Sequence, residues 1–371
     1  MDTNTDDVVL IAAGDLEQLA AEIFGAAGCS ESEAERIARY LVGANLTGHD
    51  SHGVVRISRY LQLMRDGHLV PDQRVGVLVD TPALAVVDGR YGFGQTVAPQ
   101  AVEIGIAKCR STGLAAVALR NAGHVGRVAD WAEMAATHGL VSIHFVNAVG
   151  APLVAPFGSV ERRFSTAPFC VGMPVPGRTP LLLDFATSVV AEGKVLVASH
   201  GGRAIPSDAL IGPDGRTSDD PRLLYGDYMA TGKRDVRGGI GALRAFGGHK
   251  GSGLALMCEL LGGALSGNGC VAPGRRFANG MVSIYIDPAR LDPEHVFPEE
   301  VTRYLAYVKQ AKPAQAGVQT LLPGEPEERS RAERLASGIP LPRETWLAVL
   351  EAARGVGLDE GRIERIHLLA R

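Results

Sequence analysis

The periodicity of the chain changes near residue 75, and that change restricts the fold more than any other feature. Residues 15–46 repeat apolar side chains at helical spacing. Leu16, Leu19, Ala20, Ile23 and Phe24 share one face, and Ile37, Leu41 and Ala44 form a second stripe. Ser30 and Glu33 have the S-x-x-E spacing of a capping box, which predicts the start of the second helix. A third helix is predicted over residues 53–65. Beyond "HLVPDQR" the apolar runs shorten. "LAVVD" (84–88), "LAAVALR" (114–120), "LVSIHFV" (140–146), "LLLDFA" (181–186) and "MVSIYI" (281–286) read as strands. Helical stretches are predicted between them near 97–111, 127–138, 187–199 and 252–266. Residues 200–246, rich in Gly, Pro and Asp, read as long loops, and the tail from about 325 is helical again. Strands mixed with helices predict an α/β or α+β domain packed on a helical one.

Composition narrows the function. With 371 residues the chain is long enough for two domains. Hydrophobic residues make up 46% and charged residues 21%, a globular composition. A net charge of −4 without basic patches gives no attraction for nucleic acid or an anionic membrane. No apolar run reaches about 18 residues, so no membrane-spanning helix is expected. The acidic N-terminus does not resemble a secretory signal. Cys29, Cys109, Cys170, Cys258 and Cys270 form no C-x-x-C pair and are odd in number. A disulfide framework is therefore not expected, and a cytoplasmic location is.

Four segments concentrate reactive side chains. "TGHDSHGVVRISRY" (47–60) places His49, Asp50, Ser51, His52, Arg56 and Arg59 between two helices. Three readings stand: a capped polar helix start, a histidine proton shuttle, or a metal site on His49 and His52. "NAGHVGRVADWA" sets His124 in a turn after a strand, where open sheets place ligands. "LLLDFATSVVAEGK" puts Asp184 at a strand end, with Thr187 or Ser188 expected to cap the next helix. "GGHKGSGLALMCELLGGALSG" carries His249 and Lys250 in a glycine-rich turn, with Ser252 able to start a helix. It has phosphate-loop physics without the G-x-x-x-x-G-K-[ST] signature, and no G-x-G-x-x-G follows a predicted strand. For the His124 and Asp184 segments, as for the first, a purely structural role stays open.

Together with "VAPFG" and "LLPGE", these segments resemble the malate/L-lactate dehydrogenase family of NAD(P)-dependent oxidoreductases, from about residue 15 to 367. The resemblance implies an α+β fold: a non-Rossmann NAD(P)-binding domain with a mixed sheet, packed on a helical domain. Expected boundaries are 1–75 for a helical N-terminal part, 76–246 for the cofactor and substrate domain, and 247–371 for segments completing the helical domain. It implies hydride transfer between NAD(P)H, with NADH favoured, and a small 2-oxo/2-hydroxy carboxylic acid. His52 matches the general acid/base of the family's SHG motif, with Ser51 beside it. Arg56 matches an arginine for the substrate carboxylate, and His124 and Asp184 match further catalytic positions. Thr166, Thr187, Ser188, His249, Lys250, Pro323, Gly324 and Glu325 match cofactor contacts. No metal is expected, and a homodimer with sites near the subunit interface is. The family's G-T-N-P reads "STAP" at Ser165–Pro168, and Ala122 stands where Ser is usual after Asn. Rival readings are reduction of cyclic imino acids on the same scaffold and, in another class, a metal-dependent hydrolase or lyase using His49, His52 and His124. A silent ligand-binding protein is a further rival.

Overall fold

The computed structural model describes residues 8–150, 152–199, 204–229, 234–315 and 317–370. The chain begins β1 (Val8–Ile11), α1 (Ala13–Ala26), α2 (Glu31–Leu46), α3 (Ile57–Arg65), β2 (Gly76–Asp80), β3 (Leu84–Asp88), α4 (Gly94–Thr112) and β4 (Leu114–Ala122). It continues α5 (Ala129–Ala136), β5 (Val141–Val149), β6 (Val154–Ala155), β7 (Pro168–Met173), β8 (Leu181–Ala186), α6 (Glu192–Ser199), β9 (Leu210–Ile211) and β10 (Thr217–Ser218). Then come α7 (Arg222–Tyr225), β11 (Ala242–Arg244), α8 (His249–Cys258), a π-helical stretch Glu259–Leu265, and β12 (Ala278–Ile286). The C-terminal part holds α9 (Pro288–Leu291), α10 (Phe297–Lys309), α11 (Glu325–Ser337), β13 (Ile339–Pro342), α12 (Arg343–Gly355) and α13 (Glu360–Leu369). No described helix is long and apolar enough to cross a membrane.

The architecture is α+β. The main sheet has seven strands in the order β2-β3-β4-β12-β5-β7-β8. Only β3 and β4 run parallel; every other neighbouring pair is antiparallel. A doubly wound dinucleotide sheet is parallel almost throughout. The helical layer is built from both ends of the chain. Leu19, Ile23, Ile37 and Leu41 pack in one apolar cluster with Trp346, Leu350 and Ile363. The apolar stripes read from the sequence are the faces buried there. A second cluster lies between α4, α5 and the sheet, around Val97, Val102, Leu119 and Trp131. A third, around Val154, Val195, Leu210 and Leu243, lies beside the four-stranded sheet β10-β9-β11-β6.

Several expectations change. The segment 200–246 is not only loop: its described residues include β9, β10, α7 and β11, whereas 200–203 and 230–233 lie outside the described residues. The helix expected from 187 begins at Glu192. Thr187 and Ser188 do not cap it. The Thr187 hydroxyl donates to Ala167 O at 2.7 Å and the Ser188 hydroxyl to Val190 O at 2.7 Å. Ser252 does not start α8, whose N-cap is Gly248; the Ser252 hydroxyl instead accepts from Phe157 N at 3.0 Å. The capping box forms by half. Ser30 Oγ accepts from Glu33 N at 3.4 Å, but the buried Glu33 carboxylate accepts from Thr96 Oγ1 at 2.6 Å and Asp72 N at 2.5 Å. There it ties α2 to α4, a long-range contact that outweighs the local one. His144 is a sheet histidine: fully buried on β5, it lies between the hydroxyls of Ser142 (3.0 Å) and Ser283 (2.8 Å).

Candidate active site

The sequence TGHDSHG breaks helix α2 and turns the chain sharply. Thr47 Oγ1 donates to Gly43 O at 3.0 Å, and Gly48 takes φ +80°, a left-handed conformation that suits glycine. Asp50–His52 then form a single 3₁₀ turn. Buried Asn45 staples that turn. Its Nδ2 donates to Asp50 Oδ1 at 2.6 Å, and its Oδ1 accepts from Val54 N at 2.9 Å. A Cβ on Gly53 would lie 2.2 Å from Asn45 Oδ1, so the glycine of SHG is a steric requirement. Arg334 of α11 grips Asp50 at 2.6 Å and 3.1 Å. His49 Nε2 lies 3.2 Å from Glu327 Oε1. Asp50 therefore builds the turn, His49 pairs with α11 while still lining the cleft, and Ser51, His52 and Arg56 face inward.

They face a cleft of about 550 Å³. Ser51, His52, Arg56, His124, Thr166, Asp184 and Ser188 all line it. Ser51 Oγ lies 3.1 Å from His52 Nδ1. The His52 and His124 rings stack, with centroids 5.4 Å apart and planes 11° from parallel. Arg56 donates through Nε to Ser51 O at 2.6 Å, and its Nη1 is 4.0 Å from Glu192 Oε2. One edge of the guanidinium is fixed by the turn; the other is only loosely paired.

His124 sits at the carboxyl end of β4, as its position after an apolar strand predicts. The turn is over-determined. Val125 N donates to Asn279 Oδ1 at 2.9 Å, and Trp131 Nε1 donates to Val125 O at 3.0 Å. Gly94 allows the close approach: a Cβ there would lie 2.1 Å from His124 O. Gly94→Ala is therefore expected to destabilise the fold by about 1–3 kcal/mol. Alanine's helix-propensity gain over glycine, about 1 kcal/mol, is the smaller effect. The clash is with backbone, so the His124 turn must move and turnover falls too. A denaturant midpoint equal to wild type would contradict this.

The electrostatics separate the groups. Burial, then His124, then Arg56 hold His52 well below its ordinary 6.5. Burial and Arg56 push His124 down to about 3. Both rings are neutral at pH 7. Asp184 is raised by burial and accepts from Ala129 N at 2.8 Å, capping α5 rather than α6. It does not bond His52: among the described residues no carboxylate bonds that ring, whose Nδ1 meets Ser51 Oγ instead.

Other sequence candidates lie away from the cleft. His249 and Lys250 are exposed at the start of α8, and Thr187 is buried behind the wall. Pro323 and Gly324 pack against the start of β8, where Leu182 N donates to Pro323 O at 3.4 Å. Glu325 is paired with Lys309 at 2.8 Å. Among the described residues no three His, Cys, Asp or Glu side chains converge as donors for a metal ion.

The structure adds residues that sequence reasoning missed. Tyr60, Asn279 and Glu192 line the cleft, and Tyr225 donates to Glu192 Oε1 at 2.6 Å. Only Tyr60 had a local signal, standing four residues after Arg56 on the same helical side.

The sequence profile of malate/L-lactate dehydrogenase matches residues 11–350. Hydroxycarboxylate dehydrogenase B of Escherichia coli K12 is 39% identical over 348 residues, which cover 92% of this chain and 93% of that one. Delta(1)-pyrroline-2-carboxylate reductase of Ancylobacter novellus is 32% identical, covering 91% and 95%. The structure of malate dehydrogenase from Pyrococcus horikoshii superposes with a TM-score of 0.83 at 27% identity, covering 97% and 99%. The chain therefore belongs to the malate/L-lactate dehydrogenase family.

Proposed function

We propose that the protein transfers a hydride between NAD(P)H and a small 2-oxo/2-hydroxy carboxylic acid, with His52 as general acid/base. The observation that carries this reading is the convergence of His52, Arg56 and His124 on one cleft of about 550 Å³. Arg56 pairs with the substrate carboxylate through its loosely held edge; a planar fork suits that partner. His52 takes the hydroxyl proton in oxidation and returns it in reduction. His124 stands beside it, and Asp184 fixes the wall by capping α5.

The chain's own groups fit a dinucleotide outside the doubly wound fold. Gly247 and Gly248 take φ +56° and +64° before α8, and a Cβ on Gly247 would meet nothing within 4 Å. Amides at that helix start are open to an anion, with Lys250 beside them. Thr166 and Ser188 on the cleft wall suit the nicotinamide end. His249, Lys250 and the Pro323–Gly324–Glu325 segment suit the rest of the cofactor. When bound, the nicotinamide supplies the hydride. Lys250→Ala is expected to weaken NADH binding by about 1.5–3 kcal/mol, the scale of a hydrogen bond to a charged group. Its exposed side chain predicts little change in melting temperature. Fluorescence titration beside a thermal melt checks both; an unchanged Kd would remove Lys250 from the site.

His52 is neutral in the free protein, yet reduction needs it protonated. A bound carboxylate offsets the Arg56 charge and raises the ring's pKa. Binding of oxamate in the presence of NADH is therefore expected to take up as much as about one proton per site near pH 7. Calorimetry in buffers of different ionisation enthalpy reads this directly. No uptake would mean that the proton comes from another group.

A second reading, reduction of cyclic imino acids, is favoured by the similarity to the pyrroline-carboxylate reductase and by Glu192, a carboxylate on the cleft wall able to face an iminium. A homodimer fits the exposed apolar face of α8 and the π-helical stretch, where Leu256, Met257, Leu260 and Leu265 are 42–66% exposed. Turnover of a panel of 2-oxo acids and cyclic imines with NADH and NADPH tests the function. No oxidation of either cofactor by any of them would overturn it.

A further inference from the structure

Behind His124 lies a buried polar chain that the proposed reaction has not used. Tyr60 of α3 is 1% exposed, and its hydroxyl lies 2.6 Å from His124 Nδ1. On its other side Gln95 Nε2 donates to the same phenol oxygen at 3.1 Å. Gln95 belongs to the first turn of α4 and is itself 1% exposed. The phenol ring is wedged between Phe24 and Phe93, at centroid distances of 6.4 Å and 5.9 Å. It packs edge-on to His124 at 5.9 Å. Helical layer and sheet layer thus meet on one hydroxyl group.

A phenol has a single proton to give. With the Gln95 amide oriented so that Nε2 donates to its oxygen, which leaves Gln95 Oε1 without a partner among the described residues, that proton points to His124 Nδ1. A neutral imidazole that accepts at Nδ1 carries its own proton on Nε2. Among the described residues nothing bonds His124 Nε2, and the ring lines the cleft. Burial and Arg56 keep the ring uncharged, with its pKa pushed down to about 3. His52 differs: its Nδ1 meets a serine hydroxyl, which can donate or accept and so fixes no tautomer.

We propose that Tyr60 is a positioning residue that holds His124 as a neutral Nε2–H donor, and that this donor binds the oxygen on the substrate carbon that exchanges the hydride. The proposal rests on the dehydrogenase reading above. It divides the work of the two stacked histidines. His52 moves the proton. His124 polarises the carbonyl without becoming charged, because an imidazolium would find no counter-charge on Tyr60 or Gln95.

The test is made on the full-length protein labelled with ¹⁵N-histidine. Long-range ¹⁵N–¹H correlation at pH 7.5, assigned by comparison with His124→Gln, should show Nε2 protonated and Nδ1 bare. Tyr60→Phe should shift the His124 Nδ1 resonance and lower kcat about 10- to 100-fold, the scale for losing the partner that orients a functional histidine. Its Kd for NADH should stay close to that of wild type, because the buried phenol hydroxyl contacts His124 and Gln95. In a His124→Gln background, Tyr60→Phe should have no further effect on kcat. A wild-type ring protonated on Nδ1, or doubly protonated, overturns the proposal. So does a Tyr60→Phe effect that multiplies with that of His124→Gln. The tautomer is read on the wild-type protein; His124→Gln serves only to assign its resonances, and the unchanged signals of the other histidines report that this variant folds. If no 2-oxo acid or imine turns over, the dehydrogenase reading and His124's role toward substrate fail together, whereas the spectrum still decides whether Tyr60 sets the tautomer.

Discussion

His52→Ala is expected to lower kcat by roughly 10²–10⁴-fold, the range for a lost general acid/base, while NADH affinity stays close to wild type. Its position is the reason. Ser51 holds the ring at 3.1 Å, and no protein group among those described bonds its far nitrogen, which is left to the cleft. The turn beneath it is built by Asn45, Asp50 and Arg334, none of which needs the imidazole. The fold should therefore survive the substitution, and a thermal melt can check that. The ring's depressed pKa adds a pH signature. A histidine whose pKa is lowered keeps its basic form to lower pH, so kcat/KM for oxidation of a hydroxy acid should stay flat through pH 6.5 and fall only well below it. Wild-type kcat in His52→Ala would remove it from the chemistry. A break at or above 6.5 in the wild-type profile would show that the ring is less shielded than its surroundings imply.

Arg56→Lys should raise KM for 2-oxo acids by about 10- to 100-fold, since a hydrogen bond to a charged group contributes roughly 1.5–3 kcal/mol. An ammonium cannot both donate to Ser51 O, as Arg56 Nε does at 2.6 Å, and present a second pair of donors to a carboxylate. The pH profile separates this loss from a change of charge. Lysine keeps the positive charge beside His52, so the ring should stay depressed. Arg56→Leu removes one of the three largest causes of that depression, after burial and His124, and should move the acid break of kcat/KM upward toward 6.5. Equal KM values for wild type and Arg56→Lys across carboxylate substrates would assign Arg56 to the turn alone.

The helical layer is legible in the sequence because its signal is local. The stripes of α1 and α2 are faces that pack in one cluster with Trp346 and Leu350 of α12, and Ser30 caps α2 as its spacing implies. The strands β3, β4, β5, β8 and β12 are legible as apolar runs. Strands β2, β7 and β13 are not. Leu78 and its neighbours form an edge strand exposed to solvent, β7 contains Pro168 and Gly172, and β13 is "IPLP". Strand β13 exists through a partner far along the chain, β1. The site divides in the same way. The residues of the SHG segment alone leave three readings open; the family resemblance singles out His52 and Arg56, and both line the cleft. The Thr187 hydroxyl does not cap a helix; it bonds Ala167, twenty residues earlier, and no spacing rule reports that contact. Asn45 and Gln95 read as ordinary helical residues, and Tyr60 is marked only by its spacing from Arg56. Their roles arise only where α2, α3 and α4 meet the turns that bear His52 and His124.

The central claim is hydride transfer between a nicotinamide and a carboxylate-bearing substrate, and one labelling measurement tests it most directly. The protein is incubated with NADH carrying deuterium on both positions of nicotinamide C4, together with the 2-oxo acids and cyclic imines of the panel. The products are analysed by mass spectrometry and NMR. Hydride transfer predicts a 2-hydroxy acid, or a cyclic amino acid, bearing one deuterium at C2 in a single configuration. Product formed without deuterium at C2, or no product from any member of the panel, would contradict it.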